Sequence, residues 1–255
     1  MNRYIKTAHM AAIAKTNGGV LYMLPDLFIK AFTLLAQISL WWVVMSADVN
    51  VGMTFAQMLS YTYAGALLKD FLVVRTPATG WLSEGVLLGL YGRPLLILGQ
   101  LAAISLGGYI PMLLAFSVPM FLLSPLLGVE LVPRSPLFLL SLLLCISLGF
   151  AVDILFACLC IKMRNVSWLV DRIREAITLL LSGTVIPIAL LPSGFSQVLR
   201  YQPFASLGGA PLSVLVGLGD ARELVLTQLA WNLILWPLAI YIFRKSQEGV
   251  VSYGG

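Results

Sequence analysis

The chain has 255 residues, of which 60% are hydrophobic and 11% charged, and a formal net charge of +5. Soluble domains carry about 25% charged residues, so this composition, with a mean hydropathy of +0.95, excludes a soluble fold and predicts an integral membrane protein. At about 20 residues per crossing, the length leaves room for roughly six spans and no separate soluble domain. In such a protein, excess Lys and Arg encode orientation, so the basic balance does not signal a nucleic-acid partner.

In chain order, residues 1–20 predict a helix lying in the membrane interface. Tyr4, Ile5, Ala8, Ala11 and Ala12 fall on one side and Arg3, Lys6, Thr7 and His9 on the other, a pattern of surface-bound amphipathic helices. The stretch lacks the continuous apolar core of a secretory signal peptide and is expected to be retained. Asn17-Gly18-Gly19 ends it. The first span is expected at 24–45, with Lys30 able to snorkel inward and Trp41-Trp42 in the outer aromatic belt. The second is expected at 55–74, with Lys69 and Asp70 near its inner end. A Gly-rich, less apolar segment, 76–93, leads to a third span at 94–123, which Gly107-Gly108, Pro111 and Pro119 interrupt; such breaks predict kinks. The fourth span is expected at 137–161, the fifth at 176–191 and the sixth at 224–243.

Between the last two, 192–220 is rich in proline and glycine. Apolar sequence meets Pro187, Pro192 and Gly194 and resumes through Pro203-Phe204-Ala205-Ser206 to Pro211. Irregular backbone at membrane depth survives only inside protein or against a cavity, so the segment predicts a crossing that enters, breaks and doubles back. Orientation follows from charge: thirteen of the 16 Lys and Arg residues fall on one side of this layout, against Arg134, Arg200 and Arg222 on the other. Both termini are therefore expected inside and the broken segment in the outer half.

Reactive chemistry has little foothold. No phosphate loop, zinc-protease or serine-hydrolase motif occurs, and His9 is the only histidine. Cys145, Cys158 and Cys160 lie in one apolar run without C-x-x-C spacing and are read as small packing residues. Two inner segments suggest contacts. Trp81, Leu82, Gly85 and Leu88 share a helical face, which fits a short helix docking into a partner or one resting on lipid. In 162–175, Val166, Leu169, Val170 and Ile173 form a stripe while Arg164, Asp171, Arg172 and Arg174 lie elsewhere, which predicts a helical extension with a solvated charged face. Asp153 is the carboxylate clearly inside a span; unpaired burial costs about 2.5–3.5 kcal/mol, so it is expected to be paired, protonated or water-facing.

Taken together, Glu84-Gly85-Val86-Leu87 through Arg93-Pro94, Ser182-Gly183 followed by Ile186-Pro187 and Leu191-Pro192, Gln202-Pro203-Phe204-Ala205-Ser206 leading to Pro211 and Gly217, and the ending Tyr253-Gly254-Gly255 resemble the membrane subunit of an ABC-2-type exporter, specifically its six-span permease branch. The chain departs from that pattern at Phe156-Ala157-Cys158-Leu159-Cys160, where an aromatic pair and an acid are usual, and at Leu207-Gly208-Gly209-Ala210, where aromatic residues are. The resemblance implies an all-α membrane protein with six transmembrane helices, an N-terminal interfacial helix, a cytoplasmic coupling helix within 76–93 (Trp81, Glu84, Gly85, Arg93), and an outer re-entrant gate built on Gly183, Pro187, Pro192, Pro203, Phe204 and Pro211. It further implies a non-enzymatic permease that binds no cofactor itself. ATP and Mg would sit on separate ABC ATPase subunits, beside a second permease subunit, in a bacterial inner membrane. The alternative is a stand-alone secondary transporter using Asp153 for ion or proton coupling. A membrane-embedded enzyme is a more distant third.

Overall fold

The computed structural model describes residues 3–46, 52–80, 88–163 and 167–251. The described residues are helical, with no strand among them. The helices are α1 (Arg3–Thr16), α2 (Leu24–Ser46), α3 (Phe55–Leu72), the short α4 (Leu88–Tyr91), α5 (Ile97–Met112), α6 (Val118–Leu123), α7 (Leu137–Lys162), α8 (Ser167–Leu181), α9 (Ser193–Leu199), α10 (Gly209–Val216) and α11 (Ala221–Val251). A π-helical turn, Leu113–Ser117, joins α5 to α6.

Four helical stretches are long and apolar enough to cross a membrane: Leu21–Ser46, Ile97–Leu127, Leu137–Cys160 and Ala221–Ser246. The expected second and fifth spans do not reach that standard. At 1.5 Å per residue, the 18 residues of α3 span about 27 Å, but they include Lys69 and Asp70 and a largely buried Ser60-Tyr61-Thr62-Tyr63 run. Composition suited to lipid is unnecessary for a helix wrapped by others. The fifth expected span, 176–191, is divided: α8 begins nine residues earlier and ends at Leu181, and Gly183 follows at φ 75°. That left-handed backbone is cheap only for glycine.

Contacts between helices fix their relative directions. On α3 and the loop after it, Phe71, Val74 and Thr76 meet Cys145, Gly149 and Asp153 of α7 in the same order, so the two helices run in the same direction. Gln228, Asn232 and Trp236 of α11 likewise meet Ser141, Leu144 and Ser147 of α7. The order reverses between α3 and α5–α6, where Arg75, Leu67 and Tyr63 pair with Tyr109, Ser117 and Met120. It also reverses between the α3 region and α8, where Val74 meets Arg174 and Tyr61 meets Gly183. Thus α3, α7 and α11 point one way, and α5 and α8 the other. With Lys30 of α2 on Asp70 and Trp41 of α2 in the cluster that holds Met58, α2 joins the second set.

Three apolar clusters hold this bundle. One joins α2, α3, α7 and α10 around Tyr61, Leu148 and Leu212. A second joins α5, α7 and α11 around Leu101, Ile154 and Phe243, and a third joins α2, α3 and the π turn around Leu34, Tyr63 and Phe116. Polar side chains stitch α7 to α11. The Ser141 hydroxyl donates to Gln228 Oε1 at 2.7 Å, Asn232 Nδ2 donates to the Leu144 carbonyl at 3.1 Å, and Trp236 Nε1 donates to Ser147 Oγ at 2.8 Å. In lipid such bonds average about 0.6 kcal/mol each.

The expected interfacial helix packs differently. α1 lies lengthwise along α5, with the Tyr4 ring over Gly99 and Ala8 against Gly107, where an added Cβ would stand 2.1 Å from the Ala8 carbonyl oxygen. Gly99, Ala103 and Gly107 repeat every four residues, and small residues at that spacing let membrane helices approach closely.

Candidate functional site

The loop that leaves α3, Val73 to Pro77, joins four helices. Tyr109 of α5 grips Arg75 by its backbone: its hydroxyl accepts from the Arg75 N–H at 2.8 Å and donates to the Arg75 carbonyl at 2.7 Å. The Arg75 guanidinium reaches Glu175 of α8 at 2.8 Å. Thr76 donates through its N–H, at 3.0 Å, and its hydroxyl to Asp153 Oδ2. Arg174 of α8 closes the set by pairing with Asp153, donating to the Val74 carbonyl at 3.4 Å and bridging to Asp171 at 3.1 Å.

Asp153 is fully buried and paired. The sequence alone offered no partner for it, because Arg174 had been assigned to a solvated face. The structure corrects that face: Arg174 is 6% exposed, whereas Leu169 and Ile173 are 39% and 46% exposed. A buried carboxylate inside a span draws a cation from a neighbouring helix, and this requirement outweighs the helical stripe. The available signal was Asp171 three residues before Arg174, one turn away, which helps hold the guanidinium.

Beside this loop opens a cavity of about 1000 Å³ between α1, α2, α3, α5 and α8. Lys15, Lys30, Lys69, Arg75 and Arg93 line it, with Asp26, Asp70 and Glu175. Two of the acids are neutralised: Lys30 Nζ bonds Asp70 at 2.6 Å and lies 5.7 Å from the Phe116 ring centre, and Arg75 holds Glu175. Partial burial pulls the Glu175 pKa upward, but hydrogen bonds and charge from Arg75, then Arg172, hold it below the usual carboxylate value. The rest of the wall is apolar, including Met10, Ile29, Ile104, Met112 and Leu179. Among the described residues no cluster of His, Cys, Asp and Glu is arranged to hold a metal.

The residues singled out from sequence fall in separate places. Trp81, Glu84 and Gly85 lie outside the described residues. Arg93 is exposed and lines the cavity. Gly183, Pro187 and Pro211 are buried, Pro203 and Phe204 half-buried and Pro192 exposed. The broken segment is tied to the bundle by backbone: Tyr61 donates to the Gly183 carbonyl at 2.6 Å, the Gly209 N–H donates to the Ser182 carbonyl at 2.7 Å, and Gln202 Nε2 donates to the Leu181 carbonyl at 2.7 Å. At Gly208 an added Cβ would stand 1.8 Å from the Thr184 methyl, and at Gly209 2.5 Å from the Ser182 carbonyl oxygen. These two glycines let α10 enter with almost every residue buried. Gln228, fully buried, fixes the approach by donating to the Ser206 carbonyl at 2.8 Å.

Charge is segregated along the bundle. The cavity cations gather where α3 ends, whereas Arg134, Arg200 and Arg222 sit where α7 and α11 begin. There Arg134 packs on Gly217, Arg200 pairs with Glu223 at 3.0 Å, and the Arg222 N–H donates to Asp220 at 2.9 Å. Comparison with protein-family models and with curated proteins finds no match to this chain.

Proposed function

We propose that the chain is the membrane-embedded permease subunit of an ATP-driven exporter of the ABC-2 type. The observation that carries this reading is the charged cavity of about 1000 Å³ whose wall includes the loop entering the 76–93 segment. Exchange between two conformations needs differential contact at the driven element. Here a push on 76–93 reaches α5, α7 and α8 at once through Tyr109, Asp153, Arg174 and Glu175. Trp81, Glu84 and Gly85 then serve as the contact with a separate ABC ATPase, which binds ATP and Mg. The segment through Gly183, Pro187, Pro192, Pro203, Phe204 and Pro211 serves as the gate at the far end.

Alternation of helix direction supports six crossings: α3 and the α8-to-α10 region return the chain between the four more apolar spans. The segregation of cations supports both termini cytoplasmic, because the more basic side of a membrane protein faces inward; the bacterial inner membrane follows from the resemblance. A second permease subunit completes the assembly. Affinity-purifying the chain from its native membranes should bring down a phosphate-loop ATPase, with vanadate-sensitive transport. Glu84→Ala and Gly85→Trp should weaken that association or uncouple hydrolysis from transport. Transport by the chain alone, unaffected by vanadate, would overturn the proposal in favour of a secondary transporter.

A further inference from the structure

We infer that the cavity takes an anionic amphiphile, a phosphate- or carboxylate-headed molecule with an apolar chain, whose head rests on Lys15, Lys69 and Arg93. The inference deepens the exporter reading and rests on it for the cavity's role as a transport site, but the charge distribution argues the ligand class independently. Of the five cations in the wall, Lys30 and Arg75 are committed to Asp70 and Glu175. Lys15, Lys69 and Arg93 have no ion pair among the described residues, and the remaining acid is Asp26. The wall therefore carries an uncompensated positive charge of two.

Positive charge in a recess with low-dielectric walls concentrates anions. The apolar remainder, Met10, Ile29, Ile104, Met112 and Leu179, offers a hydrophobic chain about 0.8 kcal/mol per buried methylene. A free anion gains nothing from those walls, and a neutral amphiphile nothing from the cations. The volume of about 1000 Å³ matches the upper end of small-molecule sites, roughly 300–1,000 Å³. The outer face of α2 at the same level carries the exposed Phe28 and Phe32, an apolar surface beside the opening of the kind that suits an amphiphile's chain.

The test is equilibrium binding of radiolabelled dodecyl phosphate to the purified full-length chain in dodecyl maltoside. We expect saturable binding near one per chain that weakens as salt rises. Unlabelled dodecyl phosphate should compete at least tenfold better than dodecylphosphocholine, and inorganic phosphate should not compete at matched concentration. Lys15→Gln/Lys69→Gln/Arg93→Gln should lower affinity at least tenfold. Asp26→Asn, which removes the unpaired acid and disturbs no packing, should raise it two- to threefold, and this arm stands if the triple variant fails to fold. Equal affinity in the triple variant, equal competition by the zwitterion, competition by inorganic phosphate, or no gain from Asp26→Asn each overturn the assignment. Selective binding without an associating ATPase refutes the exporter reading alone. Loss of selectivity in a vanadate-sensitive complex refutes the ligand class alone.

Discussion

Replacing Arg174 with Met tests the architecture of the site most directly. The substitution keeps an unbranched side chain of similar reach but leaves Asp153, fully buried in α7, with only the two Thr76 donors. Breaking a buried pair from one side costs about 3–5 kcal/mol, and an unpaired acid at a helix centre costs about 2.5–3.5 kcal/mol on insertion scales. These two ranges overlap at a loss of about 3 kcal/mol. Asp153→Leu should be milder, because Arg174 retains Asp171 and the Val74 carbonyl as partners. Combining the two removes both charges and should recover most of the loss, giving a coupling of about 2–3 kcal/mol in a double-mutant cycle. The buried thiols of Cys145, Cys158 and Cys160, none in a disulfide, supply the assay, since a thiol-reactive dye reports their exposure on heating in detergent. Scaling at about 2 °C per kcal/mol for a chain of this size, Arg174→Met should melt about 6 °C lower. If Arg174→Met melts with the wild type, or the double variant is no better than the single, the pair does not anchor the loop.

Three further outcomes follow from the packing and charge. Gly107→Val drives a branched side chain into the Ala8 backbone, 2.1 Å from where its Cβ must stand, and should detach α1; faster protease cleavage within residues 3–16 checks this, and wild-type protection contradicts it. Gly209→Ala meets the Ser182 carbonyl at 2.5 Å and should cost about 1–3 kcal/mol as overpacking, read as a lower dye-reported melting temperature. Gly194→Ala, with open space around it, serves as its silent control. Glu175 has a lowered folded-state pKa, so its contribution is present above the unfolded value of about 4.3 and is lost as pH falls through the lower folded value. Between pH 5 and pH 3 the wild type should therefore lose more stability than Glu175→Gln, by less than about 1 kcal/mol because the pair is partly exposed; identical profiles would refute the Arg75–Glu175 link.

The helical class and the four most apolar spans were legible because continuous hydrophobic length reports directly on the bilayer. The expected second and fifth spans were less so, since neither is among the four stretches long and apolar enough to cross. Ser60-Tyr61-Thr62-Tyr63 signals a helix shielded by others, and only the tertiary contacts reveal what shields it. The break after Leu181 was legible in Gly183, Pro187 and Pro192. Its attachment was not, because Tyr61 and Gln202 bind backbone carbonyls, which carry no residue code. Asp153 was expected to be paired, protonated or water-facing, and its partner Arg174, 21 residues away and on another helix, was hidden by an apparent surface stripe. The cavity was the least legible feature: Lys15, Lys69 and Arg93 come from three distant segments, and each was counted as an orientation charge, Arg93 also as part of the coupling segment.

The π turn at Leu113–Ser117 divides α5 and α6 into two halves with different duties. Ser105, Gly108 and Tyr109 face the cavity before it, and Phe116 and Ser117 pack on α2 and α3 within it. Such a turn stores one residue beyond an α-helical turn, and one residue corresponds to about 100° of helical rotation. Pro111, just ahead, has already relinquished a backbone donor. The apolar stretch Ile97–Leu127 is thus built as two screws on one shaft with a single residue of slack between them. Taking up that slack would turn the cavity-facing half by about 100° relative to the anchored half, with little change in length along the helix axis.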